Sequence, residues 1–351
     1  MRAHLRRWLR GAAGLFVATV AVALVLLTLI QRASGEPPWW VELSRYLPYY
    51  WLLIPAVAAL GLSCWLGRAW VAAAIAVLVM LGAVTMRPVW GSAEPSAGRV
   101  RMMTFNIKAG HAVKEQDGVH ALGVEIARHA PDIVVMQDAD GLVAERGMTP
   151  VIGAPLFGLS NVYALGQYVV ASRWPIRACG TGTIGYREES HRYLRCTIDV
   201  RGVALTVVTA HFLSPRQGLA ATKLEGLDGA DEWRQNLRDR LAQAQALARD
   251  LPALPRPLIV AGDLNAAEES PVVRLLLQTG LRDAFSAAGR GYGFTYGQAM
   301  RGLAFLRIDH ILVSSDIAVV DSFVGRGQAS EHRPVIADLV LGARPVAETM
   351  P

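Results

Sequence analysis

The stretch DIVVMQDAD, residues 132–140, runs from four apolar residues directly into two acids. Residues 133–136 do not alternate with polar residues and are mostly β-branched, which predicts a strand that is covered on both faces. A buried strand is a rigid support for the side chains that follow it, here Gln137, Asp138 and Asp140. These acids either begin a solvated loop or belong to a site, and the rest of the chain decides between the two.

Seven other apolar runs predict strands, at residues 100–105, 168–171, 193–200, 203–209, 258–261, 308–313 and 335–340. Helices are predicted between them. Apolar residues recur at steps of three and four over 233–251, and another helix begins at Ser270-Pro271 and ends before Gly280. This alternation predicts a mixed α/β layered domain over residues 99–343, with site residues on loops beyond the strand ends.

The first 87 residues are more apolar than a soluble domain requires. The chain is 52% hydrophobic, and uncharged stretches cover residues 11–31, 46–67 and 69–86. Because a helix needs roughly 20 apolar residues to cross about 30 Å of hydrocarbon, we expect a bundle of three transmembrane helices. The alternative for the first stretch is a cleaved signal peptide. Its apolar core, residues 12–30, is longer than the roughly 7–15 residues of such a peptide.

Arginines predict the orientation of these spans. Four of them precede the first stretch within ten residues, which favours a cytoplasmic N-terminus. Three crossings then place everything after Arg87 on the extracytoplasmic, periplasmic side of a multi-pass inner or plasma membrane protein. Residues 88–98 are small, polar and contain Pro and Gly, which predicts a linker, and residues 344–351 are expected to form a tail.

The charge of the chain belongs mostly to the membrane region. The formal net charge is +6, of which residues 1–98 carry +5 and the remainder +1. A domain that follows a nucleic-acid backbone is usually basic, so composition gives no support to that partner. Cys179 and Cys196 fall in the part that we place outside the cytoplasm, where a disulfide is permitted. Two small buried thiols are the alternative, since spacing does not fix the distance between them.

Five polar clusters lie at the ends of predicted strands. They are TFN with Asn106, the opening stretch with Asp138, TAHF with His211, GDLN with Asp263 and Asn265, and a pair made of RIDH with Asp309 and SEHRPV with Glu331 and His332. Each cluster alone is common loop chemistry. Their order along the chain carries the information.

That order strongly resembles the endonuclease/exonuclease/phosphatase superfamily, over about residues 99–343. TFN, an acid after DIV, SRWPI at 172–176, a histidine after a strand, GDLN, RIDH and S-acid-H-x-P-V follow one another as they do in that family. The resemblance implies a deoxyribonuclease I-like fold, a four-layered α/β sandwich in which helices flank two packed mixed β-sheets. It also implies a hydrolase that cleaves a phosphate ester bond by in-line attack of water.

The resemblance assigns a role to each matching catalytic residue. Asp263 would orient or deprotonate the attacking water, Asn265 would hold the phosphate or the water, and His211 would contact the phosphate. Asp309 would hydrogen-bond the imidazole of His332, which titrates near neutral pH. Whether Asp263 or His332 takes the proton is left open.

A divalent cation, Mg²⁺ or Mn²⁺, is the cofactor that the resemblance implies. Asn106, Asp138 and Glu331 match the family's ligands, and a hard cation prefers such oxygen donors. Two of them depart from the family pattern: Asp138 stands for a glutamate and Glu331 for an aspartate. Since these exchanges are opposite in length, one hypothesis is that both acids flank one ion and that the longer arm compensates for the shorter.

Other residues near the motifs receive weaker assignments. Tyr168 and Arg192 are minor candidates for the site, on loop position alone. Lys108 is expected to be structural. The histidines outside the motifs, among them His191 and His310, are expected at the surface.

The leading hypothesis is a membrane-anchored, divalent-metal-dependent phosphodiesterase or phosphatase. Attachment to the lipid bilayer favours phospholipid headgroups and the common activity of the superfamily favours nucleic acid, so the substrate stays undecided. No feature indicates an obligate protein partner. A catalytically inactive member that serves as a membrane-anchored binding or sensing module is the alternative. A transporter is disfavoured because the predicted spans contain no charge and no repeat.

Overall fold

A boundary between Pro88 and Val89 divides the chain into two units. The computed structural model describes residues 2–32, 38–91, 98–114, 117–143, 149–225, 228–297, 304–327 and 329–342. Most of the predicted linker, residues 92–97, and the predicted tail lie outside these residues. Val89 and Trp90, at the start of the predicted linker, pair with Gly291 and Arg290 of the second unit.

The first unit is helical. Its elements are α1 (Arg2–Arg32), α2 (Trp39–Ser44), α3 (Tyr49–Leu66), α4 (Arg68–Met80) and a π-helical turn (Leu81–Thr85). Among the described residues, one helix is long and apolar enough to cross a membrane, His4–Arg32. This agrees with the first of the three predicted spans.

The expectation of three transmembrane helices is corrected to one candidate helix among the described residues. The apolar helices at the second and third predicted spans are Trp51–Leu66 and Arg68–Val84, which are shorter than the roughly 20 residues that a span requires. Gly67, at φ 133°, ends α3. The α-helical part of α4 stops at Met80, where the π-helical turn begins. The predicted second span ends correctly at Gly67, but it includes residues 46–48, which precede α3.

The second unit contains the strands. They are β1 (Val89–Trp90), β2 (Val100–Asn106), β3 (Ile133–Gln137), β4 (Val151–Gly153), β5 (Asn161–Leu165), β6 (Tyr168–Ser172), β7 (Ile176–Thr183), β8 (Arg192–Val200), β9 (Val203–His211), β10 (Leu258–Asp263), β11 (Leu281–Asp283), β12 (Arg290–Gly291), β13 (Asp309–Ser314), β14 (Ile317–Val324) and β15 (Val335–Leu341). All eight predicted strands are confirmed, as β2, β3, β6, β8, β9, β10, β13 and β15.

Helices separate these strands along the chain. They are α5 (Ala109–Ala112), α6 (Gly118–His129), α7 (Arg216–Glu225), α8 (Ala230–Asp250), a 3-10 turn (Leu251–Ala253), α9 (Pro271–Leu277) and α10 (Ala284–Ala288). The two predicted helices are confirmed as α8 and α9. Ser270 caps α9 by accepting a hydrogen bond from the backbone of Val272, with Pro271 in the first turn.

Within the described residues the strands form two large sheets. One has the order β14-β15-β2-β3-β6-β5-β4 and the other β11-β13-β10-β9-β8-β7. Val135 and Val207 lie in the apolar core between the sheets. Leu122 of α6 covers the outer face of the first sheet, and Leu247 of α8 and Val272 of α9 cover that of the second. The expected order of helix, sheet, sheet, helix is confirmed.

A disulfide joins two neighbouring strands of the six-stranded sheet. Cys179 of β7 lies directly opposite Cys196 of β8 in the antiparallel register. Their Cα atoms are 4.1 Å apart, and the sulfur atoms are bonded. Of the two alternatives for these residues, the structure has the disulfide.

Candidate active site

The site residues lie where two pairs of parallel strands end. β2 and β3 run parallel and end at Asn106 and Gln137. β9 and β10 also run parallel, and their register places His211 opposite Asp263. Asp309 begins the antiparallel β13 directly opposite Asp263. Parallel neighbours end at the same edge, so residues distant in sequence meet there.

Gln137 ties the two sheets together beneath the site. Its side-chain nitrogen donates to Oγ1 of Thr209 at 2.9 Å and to Oγ1 of Thr104 at 3.1 Å. Thr104 belongs to β2 in one sheet and Thr209 to β9 in the other. Gln137 is therefore a buried cross-link between the two sheets. Asp138, the next residue, is the first of the stretch 132–140 to face the site.

Asp263 is the centre of the cluster. Its Oδ2 accepts a hydrogen bond from the Asn106 amide at 2.9 Å and lies 3.5 Å from Nε2 of His211 and 3.7 Å from Nε2 of His332. Burial raises the pKa of the Asp263 carboxyl, and the negative charge of Asp309 adds to this. A raised pKa makes Asp263 a stronger base than an exposed carboxylate.

His332 and Asp309 form a buried pair. Nδ1 of His332 lies 2.9 Å from Oδ2 of Asp309. Burial alone would lower the pKa of His332, but the charges of Asp309 and Asp263 outweigh burial and raise it. Because Asp309 fixes Nδ1 as a donor, Nε2 is the nitrogen that faces Asp263.

Asp138 lies on the more accessible side of the cluster. Lys108 forms a close ion pair with its Oδ2, and Nδ1 of His211 lies 3.5 Å from its Oδ1. Burial raises the pKa of Asp138, but the charges of His211 and Lys108 outweigh it, so the pKa lies below its ordinary value. Lys108, which was expected to be structural, thus belongs to the site. Its position two residues after Asn106 was the signal that was overlooked.

Asn265 supports Asp263 from the same turn. Its backbone nitrogen donates to Oδ1 of Asp263 at 2.9 Å, and its side-chain amide donates to the carbonyl of Phe212 at 2.9 Å. Asn265 has a positive φ of 49°, which an asparagine tolerates better than most residues. The residue is placed beside Asp263 as expected.

Glu331 has a basic partner. Its Oε2 accepts from the Arg216 guanidinium at 2.7 Å, and the same nitrogen donates to the Tyr296 hydroxyl at 3.0 Å. Arg216 and Tyr296 were not found from the sequence, because the start of α7 and the segment around Tyr296 carry no recognisable motif. Glu331 is next to His332 in the chain, so this ion pair borders the His332–Asp309 pair.

A cleft of about 810 Å³ lies beside His211 and is lined by Gln167, Tyr168, His191 and Arg192, among others. Gln167 Oε1 lies 2.7 Å from Nδ1 of His211, and the Tyr168 hydroxyl accepts from the His211 backbone at 3.0 Å. The minor candidates Tyr168 and Arg192 therefore border the site. His191 is half-buried here, and burial, with a smaller contribution from the neighbouring His211, lowers its pKa.

The expectation that His310 lies at the surface is wrong. His310 is buried, with Nδ1 2.7 Å from Asp283 and Nε2 2.9 Å from the carbonyl of Ala266. Arg307 pairs with Asp283 and Glu268. Arg307 is thus paired within this buried network, and Asp309 contacts His332 instead. The role predicted for Asp309 in the RIDH motif requires this contact.

The residues at the site suit a divalent cation. Asp263, Asp309 and His332 bring their ligand atoms within 4.8 Å of one another. Oδ1 of Asp309 is buried and has no hydrogen-bond partner among the described residues, which leaves an acceptor for a cation or water. The two carboxylates of this group and the Asn106 side chain, which contacts Asp263, offer oxygen donors of the kind that Mg²⁺ and Mn²⁺ prefer, whereas the predicted ligands Asp138 and Glu331 are not part of the group.

Comparison with known proteins identifies the class. Residues 103–332 match the Endonuclease/Exonuclease/phosphatase family, and the chain belongs to it. Enzymes of this family hydrolyse phosphate esters, so the chain is a phosphoester hydrolase by family membership. A search of curated proteins found no match.

Solved structures share the fold. An endonuclease/exonuclease/phosphatase from Beutenbergia cavernae is 21% identical, with 71% of this chain and 73% of that chain covered and a TM-score of 0.50. One from Bacteroides vulgatus is 17% identical, with coverage of 69% and 99% and a TM-score of 0.50. A humanised D. rerio TDP2 is 13% identical, with coverage of 70% and 100% and a TM-score of 0.50. At these identities the likeness is one of fold.

Proposed function

We propose that the protein is a membrane-anchored, divalent-metal-dependent phosphodiesterase or phosphatase that attacks its substrate with an in-line water. The observation that carries this proposal is the convergence of Asn106, His211 and His332 on one carboxylate oxygen of Asp263. A buried base flanked by two imidazoles is suited to activating water beside an anionic phosphate.

Asp263 is assigned the role of the base that accepts the proton of the attacking water. Its raised pKa favours proton acceptance, and the backbone of Asn265 orients the carboxylate. His332, held by Asp309 and with a raised pKa, is the cationic group that stabilises negative charge as it develops on the phosphoryl oxygens. His211 presents Nε2 to the same space, because Gln167 holds its Nδ1.

Asn106 and Asp138 are assigned to the divalent ion, together with the free acceptor of Asp309. Such an ion supplies charge neutralisation at phosphoryl oxygens. Asp138 suits this role because its lowered pKa keeps it ionised. Lys108 already lies on this carboxylate, so the ion and the ammonium group compete for it.

The anchor and the compartment are also proposed. Large apolar side chains are exposed on α1, Leu15, Val22 and Leu29 among them, as expected for contact with lipid. With the N-terminus in the cytoplasm, a single crossing by α1 places the catalytic unit outside it. The disulfide supports this side, because such bonds persist in oxidising compartments.

A substrate panel tests the function. Full-length protein in detergent is given Mg²⁺ or Mn²⁺ and DNA, RNA, phospholipids, phosphoinositides or an aryl phosphodiester. We expect hydrolysis of at least one phosphate ester, lost with EDTA. Turnover of none of them would contradict the proposed function and favour a binding module. An alkaline phosphatase fusion after Arg87 tests the compartment: an inactive fusion would contradict the external placement.

A further inference from the structure

Glu331, Arg216 and Tyr296 form a connected set beside His332, which we call the brace. One guanidinium nitrogen of Arg216 donates to Glu331 at 2.7 Å and to the Tyr296 hydroxyl at 3.0 Å. The guanidinium carbon also lies 5.7 Å from the centre of the Tyr296 ring. Arg216 is therefore held by its charge and by its planar face together.

Tyr296 connects the brace to the catalytic pair. Its ring centre lies 4.8 Å from that of His332, at an interplanar angle of 45°. The backbones of Tyr296 and His332 form an isolated β-bridge, and Arg333 donates to the carbonyl of Thr295 at 2.7 Å. The aromatic ring thus borders the imidazole, whose Nδ1 is fixed by Asp309.

Thr295 links the same segment to Asp309. Its hydroxyl oxygen accepts from the backbone nitrogens of Ile308 at 3.1 Å and Asp309 at 3.3 Å. The two residues at 295 and 296 therefore contact both members of the catalytic pair. Any group that fixes the Tyr296 side chain restricts the position of the His332 imidazole.

We propose that Glu331, Arg216 and Tyr296 are positioning residues that orient His332, and that Glu331 serves this brace and not the metal ion. The inference rests on the proposed function. An ion pair that is partly exposed contributes little to stability, and the Arg216 side chain is 54% exposed. The contact therefore matters for the positions of the side chains rather than for the stability of the fold. The glutamate supplies one methylene more than the family's aspartate, and this extra reach meets Arg216.

Two other roles must be separated from this one. Arg216 lines a cleft of about 750 Å³ together with Ser214 and Gln217, so it could instead bind the substrate. Glu331 could instead bind the metal ion, as its motif suggests. Loss of a substrate contact raises KM, loss of a metal ligand weakens metal affinity, and loss of positioning lowers kcat alone.

The test uses full-length Arg216→Met, Arg216→Lys, Glu331→Gln and the Arg216→Met/Glu331→Gln double variant, with bis(4-nitrophenyl) phosphate or the best substrate of the panel. Arg238→Met, an exposed arginine on α8, is the control. We expect kcat to fall about tenfold in Arg216→Met and Glu331→Gln, with KM and the Mn²⁺ dissociation constant unchanged within about twofold. Arg216→Lys should recover part of kcat, and the double variant should lose no more than either single one.

A raised KM in Arg216→Met, a Mn²⁺ affinity weakened tenfold in Glu331→Gln, or an unchanged kcat in both would overturn the proposal. A second measurement does not need turnover. In protein labelled with [¹⁵N]histidine, the ring resonances that disappear in His332→Ala are assigned to His332. They should shift in Arg216→Met and stay in place in Arg238→Met, and the absence of a shift would overturn the brace even if no substrate is found. A shift without turnover would instead count against the proposed function alone.

Discussion

Oδ2 of Asp309 lies 2.9 Å from Nδ1 of His332, and both side chains are almost fully buried. A carboxylate in this position selects the imidazole tautomer and favours its charged form. The pair is assembled from residues 23 positions apart, through the start of β13 and the loop before β15. The fold at this edge of the sheet, which brings the start of β13 beside the segment before β15, therefore determines the orientation of His332.

Replacement of Asp309 by asparagine should lower kcat by about 10²-fold or more, the usual range for loss of proton-transfer chemistry. The amide keeps the size of the side chain but removes the charge that holds His332 in its cationic form. Steady-state hydrolysis with Mn²⁺ measures the effect. Asp231→Asn, at an exposed acid on α8, should have wild-type rates, and equal rates in both variants would count against the pair.

The pH profile of kcat/KM should be bell-shaped. The pKa of Asp263 is raised, so its basic form disappears as pH falls through a value above that of an ordinary carboxyl. The pKa of His332 is also raised, so its cationic form persists to higher pH than that of an ordinary imidazole and is lost as pH rises through that value. Rates measured from about pH 4 to 10 test both limbs. A profile that falls already between pH 6 and 7 on its alkaline side would contradict the raised pKa of His332.

Removal of the Lys108 ammonium should strengthen metal binding. In Lys108→Met the Asp138 carboxylate no longer has a competing cation, and we expect Mn²⁺ to bind about tenfold more tightly, or about 1.4 kcal/mol. Calorimetric titration of the metal-free protein measures this directly. Lys114→Met, at an exposed lysine after α5, is the matched control. Weaker binding in Lys108→Met would mean that Lys108 supports the metal site.

Loss of the disulfide should destabilise the second unit. Cys179 and Cys196 are separated by 17 positions, and closing a loop of that size stabilises a fold by about 3 kcal/mol. The Cys179→Ser/Cys196→Ser variant should therefore unfold at a lower temperature or urea concentration. Cys64→Ser, at the exposed free cysteine of α3, should not. An unchanged midpoint in the double variant would show that the bond is not formed in solution.

The hypothesis of two compensating acids has a separate test. In the structure Asp138 pairs with Lys108 and Glu331 with Arg216, so each acid has its own basic partner. Shared coordination requires that Asp138→Glu with Glu331→Asp recovers the metal affinity lost in Asp138→Glu. If Glu331 belongs to the brace, the effects of Asp138→Glu and Glu331→Asp on turnover should instead add.

Site residues at strand ends were predictable, and their partners elsewhere in the chain were not. The apolar runs before Asp138, His211 and Asp263 define strands, and a layered α/β fold gathers strand ends at one edge. Arg216, at the start of α7, meets Glu331 across 115 positions, and no local periodicity relates segments that far apart. The resemblance to a family indicated that the strand-end motifs form one site, which periodicity alone could not show.

The missed elements also have physical causes. β7 contains two glycines and is only partly buried, so its apolar pattern is weak. β14 has an irregular register between Val319 and Asp321, which interrupts the alternation that predicts a strand. The predicted spans were counted from uncharged residues, and such a count includes residues 46–48, which precede the start of α3 at Tyr49.

We propose above that the protein hydrolyses a phosphate ester with Asp263 and His332 and with the help of a divalent ion. Its most direct test is the turnover of bis(4-nitrophenyl) phosphate by full-length protein, with Mn²⁺, with EDTA, and in Asp263→Ala and His332→Ala. We expect turnover that EDTA abolishes, that added Mn²⁺ restores, and that falls by at least about 10²-fold in each variant. Undiminished turnover in both variants, or in EDTA, would contradict it.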